Sequence, residues 1–308
     1  MLYGKGLPLL GLVLALPAAA SAQGVPRFVA RANLVVLSAT AVDGKGRPIT
    51  DLRPEELRIY EEGRPQRLAH FTGGRELPAR VLLVVDASGS MNGRLQASSS
   101  RMAVVQILAA LGPEDEVALA AFDHEYWGLV AFSPDKSRIQ QALDQIVPFS
   151  STALHDALDK AARDLASHGE GRRAVVVITD GMDTASQRTP EEVIARSRAL
   201  DVPIYAISVV SPLDDPASPR FVGRERPAAA TAGSAVLARY AALSGGASFT
   251  VSDFGRLKRA AERIATELKH QYRLGYDPPE GPPRFRRVEV RSTRKGVIVR
   301  TRSGYMPS

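Results

Sequence analysis

Two hydrophobic rhythms alternate along the chain. Short, uninterrupted apolar runs such as VLLVVD at 81–86, VALAAF at 117–122 and AVVVIT at 174–179 are separated by longer stretches with helical spacing of apolar residues. Runs of the first kind, rich in β-branched residues, are what strands buried on both faces of a parallel sheet look like. The pattern predicts strands at Val81–Asp86, Val117–Phe122, Gly128–Phe132, Ala174–Thr179, Ile204–Val209 and Ser248–Val251. It predicts helices at about Arg94–Leu111, Lys136–Ile146, Ala153–Ser167, Pro190–Leu200, Ser234–Ser244 and Phe254–Lys269. Strands that alternate with helices imply an α/β fold built on a doubly wound, mostly parallel sheet. The short connection from Phe122 to Gly128 makes a hairpin, so one edge strand runs antiparallel. The helix after it must then climb back, and it delivers Ser150, Ser151 and Thr152 to the rim where Asp86 and Asp180 end.

The flanks read differently. Phe28 to Phe71 carries strand-like runs broken by Asp43-Gly44, Gly46 and Glu62-Gly63, and Gly73-Gly74 leads to Pro78 as a linker. After His270 the pattern returns to strands: YRLGY at 272–276, a proline-rich turn, FRRVEVRST and GVIVRTR, with a hairpin at Gly296. The expected organisation is a signal peptide at 1–22, an amino-terminal β segment at 23–75, a central α/β domain at 78–270 and a carboxyl-terminal β segment at 271–308. The two β segments are expected to pack as one small discontinuous β-sandwich.

At 308 residues and 44% hydrophobic content the chain can build a sizeable core and has room for two domains. Lys5, the apolar stretch Leu7 to Leu16 and the small residues Ala20-Ser21-Ala22 form a Sec-type leader, too short to span a bilayer, with cleavage near Ala22/Gln23. A secreted or periplasmic protein with no transmembrane segment in its mature chain is the expectation. The absence of cysteine excludes disulfides, a thiolate metal site and a thiol nucleophile. The net charge of +7 gathers late in the chain, at Arg284, Arg286, Arg287, Arg291, Arg294, Lys295, Arg300 and Arg302, with Glu289 the one acid among them. Export and the lack of interleaved aromatics argue against nucleic acid. Solvated strand faces that favour acidic partners are expected there instead.

The chemistry sits at the strand ends. VLLVVDASGS closes on Asp86, Ser88 and Ser90 at alternate positions, with Gly89 and Gly93 to turn the chain. Alone, these residues could cap the next helix or hold a hard divalent cation such as Mg²⁺. RAVVVITDG ends a second strand on Asp180, and PFSSTALHDAL places Thr152 just before a helical pattern. A strand ending in DxSxS, a loop threonine before a helix and a strand ending in TDG, in that order, resemble the von Willebrand factor type A domain over roughly Arg80 to His270. The resemblance implies a Rossmann-like fold and a metal-ion-dependent adhesion site formed by Asp86, Ser88, Ser90, Thr152 and Asp180. It implies Mg²⁺, with Mn²⁺ or Ca²⁺ as alternatives, held by Ser88, Ser90 and Thr152 directly or through water, while Asp86 and Asp180 act largely through waters and orient the hydroxyls. Ligands that are mostly neutral hydroxyls leave such an ion electrophilic, with one position for an Asp or Glu of a partner protein. The flanks add a resemblance to exported bacterial proteins carrying this domain.

The expected function is therefore an exported, non-enzymatic, metal-dependent module for protein binding or cell adhesion. A hydrolase with a metal-activated water and a structural module with an unused site are the alternatives. GxSxG, HExxH and Walker patterns are absent. An aspartyl phosphatase would need an Asp where Ser88 stands. His155 and Asp156 point in different directions on a helix, and Asp156 suits the first turn through the helix dipole. Partner contacts are expected on the same rim. The hairpin tip carries His124, Tyr126 and Trp127, the last either a contact or packed on the core edge. The long stretch Ser211 to Ala232 carries Arg220, Arg224 and Arg226, either as a basic lip for an acidic partner or as plain disorder.

Overall fold

The computed structural model describes residues 34–73, 78–92, 94–169, 171–211, 215 and 228–307. The expected signal peptide and the lip residues Arg220 and Arg224 lie outside these. The described chain begins in β structure, with β1 Val35–Asp43, β2 Leu57–Glu61, β3 Arg64–Gln66 and β4 His70–Thr72. An α/β region follows: β5 Ala79–Asp86, α1 Arg94–Ala110, β6 Glu116–Phe122, β7 Tyr126–Ser133, α2 Ser137–Leu143, α3 Leu154–Ser167, β8 Arg172–Thr179, α4 Pro190–Leu200, β9 Ile204–Val209, α5 Ala228–Ser244, β10 Ser248–Val251 and α6 Phe254–Lys269. It closes with β11 Tyr272–Tyr276, β12 Arg286–Ser292, β13 Val297–Thr301 and β14 Gly304–Tyr305.

The apolar runs form one six-stranded sheet in the order β10-β9-β8-β5-β6-β7. Its pairings are parallel except β6 with β7, the edge hairpin. Because successive side chains alternate faces, β5 sends Val81, Leu83 and Val85 into one core with residues of α1, α2 and α6. Leu82 and Val84 enter a second core with residues of α3, α4 and α5. Both faces of the central strands are thus covered, and uninterrupted apolar runs are the only ones that fit. With β5 between β8 and β6, Asp86 and Asp180 come out at the carboxyl ends of adjacent strands, the usual ligand crevice of such a sheet.

Two helices depart from the sequence pattern. Helix α2 stops at Leu143 rather than Ile146, and the chain passes through a turn toward Pro148, which disfavours helix in the residue before it. Helix α5 starts at Ala228 rather than Ser234, so 228–232 are helical and not part of a loop. The alanine-rich run there has the highest intrinsic helix propensity.

The two flanks interleave. One antiparallel sheet has the order β13-β1-β11-β4 and the other β14-β12-β2-β3, so each mixes strands from before and after the α/β region. They share a core that includes Leu37, Ile59, Tyr272, Tyr276 and Val288. At its centre Glu61 accepts hydrogen bonds from Tyr276 (2.5 Å), Tyr305 (3.0 Å) and Arg286 (2.9 Å), all buried. The basic tail corrects an expectation here, for much of it is paired rather than solvated. Arg286 meets Glu61, Arg294 meets Glu56 and Asp51, Arg300 meets Glu267, and Arg302 meets Asp201. The acids come from distant parts of the chain and reach the tail only through strand pairing and the packing of the sheets against α4 and α6.

Candidate metal centre

The centre grows from the end of β5. Asp86 is buried, and its carboxylate accepts the Ser88 backbone N–H at 2.9 Å and the Thr179 hydroxyl at 2.5 Å. Thr179 stands beside Asp86 because β5 and β8 pair in register, Val85 opposite Ile178. Its hydroxyl also accepts the Gly181 N–H at 3.0 Å, which ties the turn after β8 to the same carboxylate. Ser88 is fully buried and Ser90 exposed, with their hydroxyl oxygens 3.0 Å apart. Burial pushes the Asp86 carboxyl up to about 6, against its hydrogen bonds, and the nearby charge of Asp180 adds to the rise.

The loop before α3 brings the third element. Phe149 donates its N–H to the Ala87 carbonyl at 2.8 Å, and Gly89 donates to the Ser150 carbonyl at 2.9 Å. Ser150 adopts φ +73°, and a Cβ on Gly89 would sit 3.1 Å from the Ser150 carbonyl oxygen, so glycine lets the two loops touch. Thr152 is buried, and its N–H donates to the Thr184 hydroxyl at 3.0 Å. Its carbonyl accepts the N–H groups of Thr184 and Ala185 at 2.8 and 2.9 Å. Ala153, which donates to the Asp123 carbonyl at 2.6 Å, joins this loop to the hairpin tip.

The first turn of α3 has no cap of its own, since Ala153 holds the N-cap position. Ser186, from the segment after β8, supplies it: its hydroxyl accepts the N–H groups of His155 and Asp156 at 2.9 and 3.2 Å. Asp156 returns the favour by accepting from the N–H groups of Gln187 and Arg188, both at 3.0 Å. Asp180, half-buried, accepts the Met182 N–H at 2.9 Å. Behind it, Gly181 at φ +84° lies so close to Gly233 of α5 that a Cβ would fall 2.6 Å from the Gly233 carbonyl oxygen. The three segments bearing Asp86, Thr152 and Asp180 are therefore laced into one rim by backbone hydrogen bonds.

The donor set consists of two carboxylates and three hydroxyls, all hard oxygens. Among the described residues, neither Asp86 nor Asp180 takes part in an ion pair with Lys or Arg. A carboxyl buried without a cation and held beside a second negative charge is the electrostatic state a divalent ion would relieve. The residues present thus fit a hard divalent cation. No grouping of three or more His, Cys, Asp or Glu arranged to hold a metal occurs among the described residues. The candidate set here combines two carboxylates with hydroxyls.

The hairpin tip and its surroundings complete the rim. His124 is exposed, with Nδ1 2.9 Å from the Asp123 carboxylate. Tyr126 is half-buried and donates its hydroxyl to Asp164 at 3.1 Å, and Trp127 is half-buried. His155 meets the Tyr240 hydroxyl through Nδ1 at 2.7 Å and faces Asp183 at 3.8 Å. It engages neither Ser88 nor Ser90, and burial holds its pKa below the usual range. Sequence reasoning missed Thr179, Ser186 and, on the rim, Val147 and Phe149, which are 76% and 74% exposed. A signal for the last two lay in the IVPFSST run, apolar residues placed outside any periodic element.

Residues 81–182 match the model of the von Willebrand factor type A domain family. The inter-alpha-trypsin inhibitor heavy chain H4 of Sus scrofa is 27% identical over 127 residues, covering 38% of this chain and 14% of its own length. An uncharacterized protein of Borreliella burgdorferi is 25% identical over 154 residues, 47% of this chain and 44% of that protein. This chain therefore spans less than half the length of either relative. Among solved structures, the von Willebrand factor type A protein from Catenulispora acidiphila aligns with a TM-score of 0.50 at 12% identity, over 89% of this chain and 73% of that one. That is a likeness of fold.

Proposed function

From a chain that carries a von Willebrand factor type A domain, we propose an exported, non-enzymatic binding protein whose metal-dependent rim grips an acidic side chain of a partner protein. The observation that carries this reading is the Asp86 centre, a buried carboxyl beside a second one, with hydroxyls and, among the described residues, no ion pair to a Lys or Arg. Ser88, Ser90 and Thr152 would hold the ion, Mg²⁺ by the hardness of the donors, with Mn²⁺ or Ca²⁺ as substitutes. When bound, the ion supplies an electrophilic site for a carboxylate. The chain's own residues do the rest. Thr179 and the Ser88 N–H fix the Asp86 carboxylate, and Thr184 fixes the backbone of Thr152, so the oxygens are set before any ligand arrives. His124, Trp127, Val147 and Phe149 stand around the rim as partner contacts.

Binding rather than turnover is supported by the absence, among the described residues, of an imidazole on either serine hydroxyl of the centre. His155 is spent on Tyr240, and both hydroxyl candidates, Ser88 and Ser90, contact each other instead of an imidazole. Localisation outside the cytoplasm rests on the amino-terminal leader pattern. Among the described residues no helix is long and apolar enough to cross a membrane.

The test is thermal. Mg²⁺ at one hundred times its Kd should stabilise the fold by about 2.7 kcal/mol if it binds the native state alone. The rise in Tm should vanish in Asp86→Ala and in Thr152→Ala, and affinity capture from envelope fractions should need Mg²⁺ and fail with chelator. A wild-type Tm indifferent to Mg²⁺, Mn²⁺ and Ca²⁺ would return the centre to a purely structural role. Phosphoester turnover that required Asp86 and Asp180 would refute the binding assignment.

A further inference from the structure

A second surface lies away from the metal rim, where the sheet ends at β10. This edge strand has β9 on one side and a groove of about 610 Å³ on the other. The groove is bounded by the turn at Lys45–Pro48 and by one face of α6, with Arg256, Arg259 and Arg263 spaced along it. In a parallel pair the N–H and C=O of one residue point the same way, and the next residue points the other way. Ala206 donates to the Ala247 carbonyl and Val210 to that of Val251, so residues 247, 249 and 251 face β9. Ser248 and Thr250 therefore turn their backbone groups toward the groove, and no hydrogen bond satisfies them within the described residues.

The groove is strongly basic, but most of its cations are already engaged. Arg47 pairs with Asp43 at 2.7 Å, Arg256 with Asp215 at 2.7 Å, and Arg263 with Glu267 at 2.9 Å. Arg263 also lies over the Phe249 ring, 5.3 Å from its centre, which fixes it beside the strand. Lys45, on the turn, and Arg259, on α6, have no ion pair among the described residues. Glu262, the acid on the lining, is 4.0 Å from Lys258. An open strand edge between two unpaired cations offers two kinds of contact at once: backbone hydrogen bonds along β10 and charge on both walls.

We propose that this groove takes an acidic segment of a partner protein in extended form, added to β10 as a further strand. Backbone pairing supplies the grip, and the charges of Lys45 and Arg259 select Asp and Glu on the added segment. The site is independent of the metal rim.

The test uses the full chain and a short fluorescein-labelled peptide of alternating glutamate and valine, read by anisotropy at low salt. Wild type should bind it equally with Mg²⁺ and with chelator, and should ignore the lysine–valine counterpart. Reversing both walls in Lys45→Glu/Arg259→Glu should weaken binding about tenfold or more. Thr250→Pro removes one outward N–H at an edge position where proline is tolerated, and should weaken binding about fivefold. Should that variant unfold, N-methylation of alternate peptide residues blocks strand addition from the other side and should have the same effect. Binding unchanged by the charge reversal overturns the proposal, as does binding indifferent to both Thr250→Pro and N-methylation. Binding abolished by chelator would assign the peptide to the metal rim. Stronger binding of heparin or of anionic vesicles, with loss in the same charge variant, would make the groove a polyanion site and also overturn it.

Discussion

Gly181 offers the sharpest test of how the metal rim is held. Its φ of +84° belongs to the region L side chains avoid, and a Cβ there would lie 2.6 Å from the Gly233 carbonyl oxygen, 2.7 Å from its carbon and 2.9 Å from its Cα. The conformation alone costs an alanine about 1–2 kcal/mol. The contact is with backbone on a packed helix, not with the end of a flexible side chain, so relief requires the β8 turn and α5 to separate. Overpacking of that kind typically costs about 1–3 kcal/mol. Gly181→Ala should therefore destabilise by about 2–5 kcal/mol, a fall in Tm on the order of 10 °C for a domain of this size. Because Asp180 and the segment that holds Thr152 ride on the same turn, the Mg²⁺-induced rise in Tm should shrink as well. Gly233→Ala, whose Cβ would meet the Asp180 carbonyl oxygen at 2.7 Å, approaches the same clash from the helix side. One separation relieves both, so the double variant should lose less than the sum of the singles. Differential scanning fluorimetry with and without Mg²⁺ measures all of this. A Gly181→Ala protein that melts within about 0.5 kcal/mol of wild type, with a full Mg²⁺ response, would refute the close-contact account.

Other residues carry further expectations. Glu61→Gln leaves Arg286 buried without its charge partner and should destabilise the flanking sheets by about 3–5 kcal/mol, measured by urea denaturation. His155 is held neutral by burial below its ordinary value near 6.5, so its contribution is present above that pH and lost on acidification. Wild type should accordingly lose more Tm between neutral and mildly acidic pH than His155→Gln does, and equal slopes would rule this out. Phe149→Ser should leave the Mg²⁺-induced rise intact while weakening metal-dependent partner capture at least severalfold. It removes an exposed side chain that is not one of the proposed metal ligands.

Much of the fold could be read from the chain because buried parallel strands leave no choice of residue. Val81–Val85 and Ala174–Ile178 are apolar at each step, and each run leads to a carboxylate, Asp86 and, after Thr179, Asp180, which places the two on one edge. The hairpin at 122–128 then decided that Thr152 arrives on that same edge. What could not be read depends on register and on partners far away in sequence. Thr179 looks like any strand threonine until β5 lies beside it, and Ser186 becomes a helix cap only because α3 begins with an alanine. The tail arginines read as solvated because their acids, Asp51, Glu56, Glu61, Asp201 and Glu267, lie far from them in sequence. The alanine-rich start of helix α5 carries propensity but no amphipathic period, so the sequence pattern places its beginning at Ser234 rather than Ala228.

The interleaving of the flanks has a mechanical consequence. The chain enters the α/β region after β4 and leaves it into β11, and these two strands are paired, with Thr72 opposite Arg273. Tension carried between β1 and β14 is borne by the two flanking sheets and bypasses the metal rim altogether. A pull applied at the rim would reach the flanks through β4 and β11 and also through the contacts of the flanking sheets with α4, α5 and α6, among them Arg302 with Asp201, Arg300 with Glu267 and the Ser303 N–H on the Leu243 carbonyl. The flanking sheets thus tie the two ends of the described chain to each other without the rim standing between them.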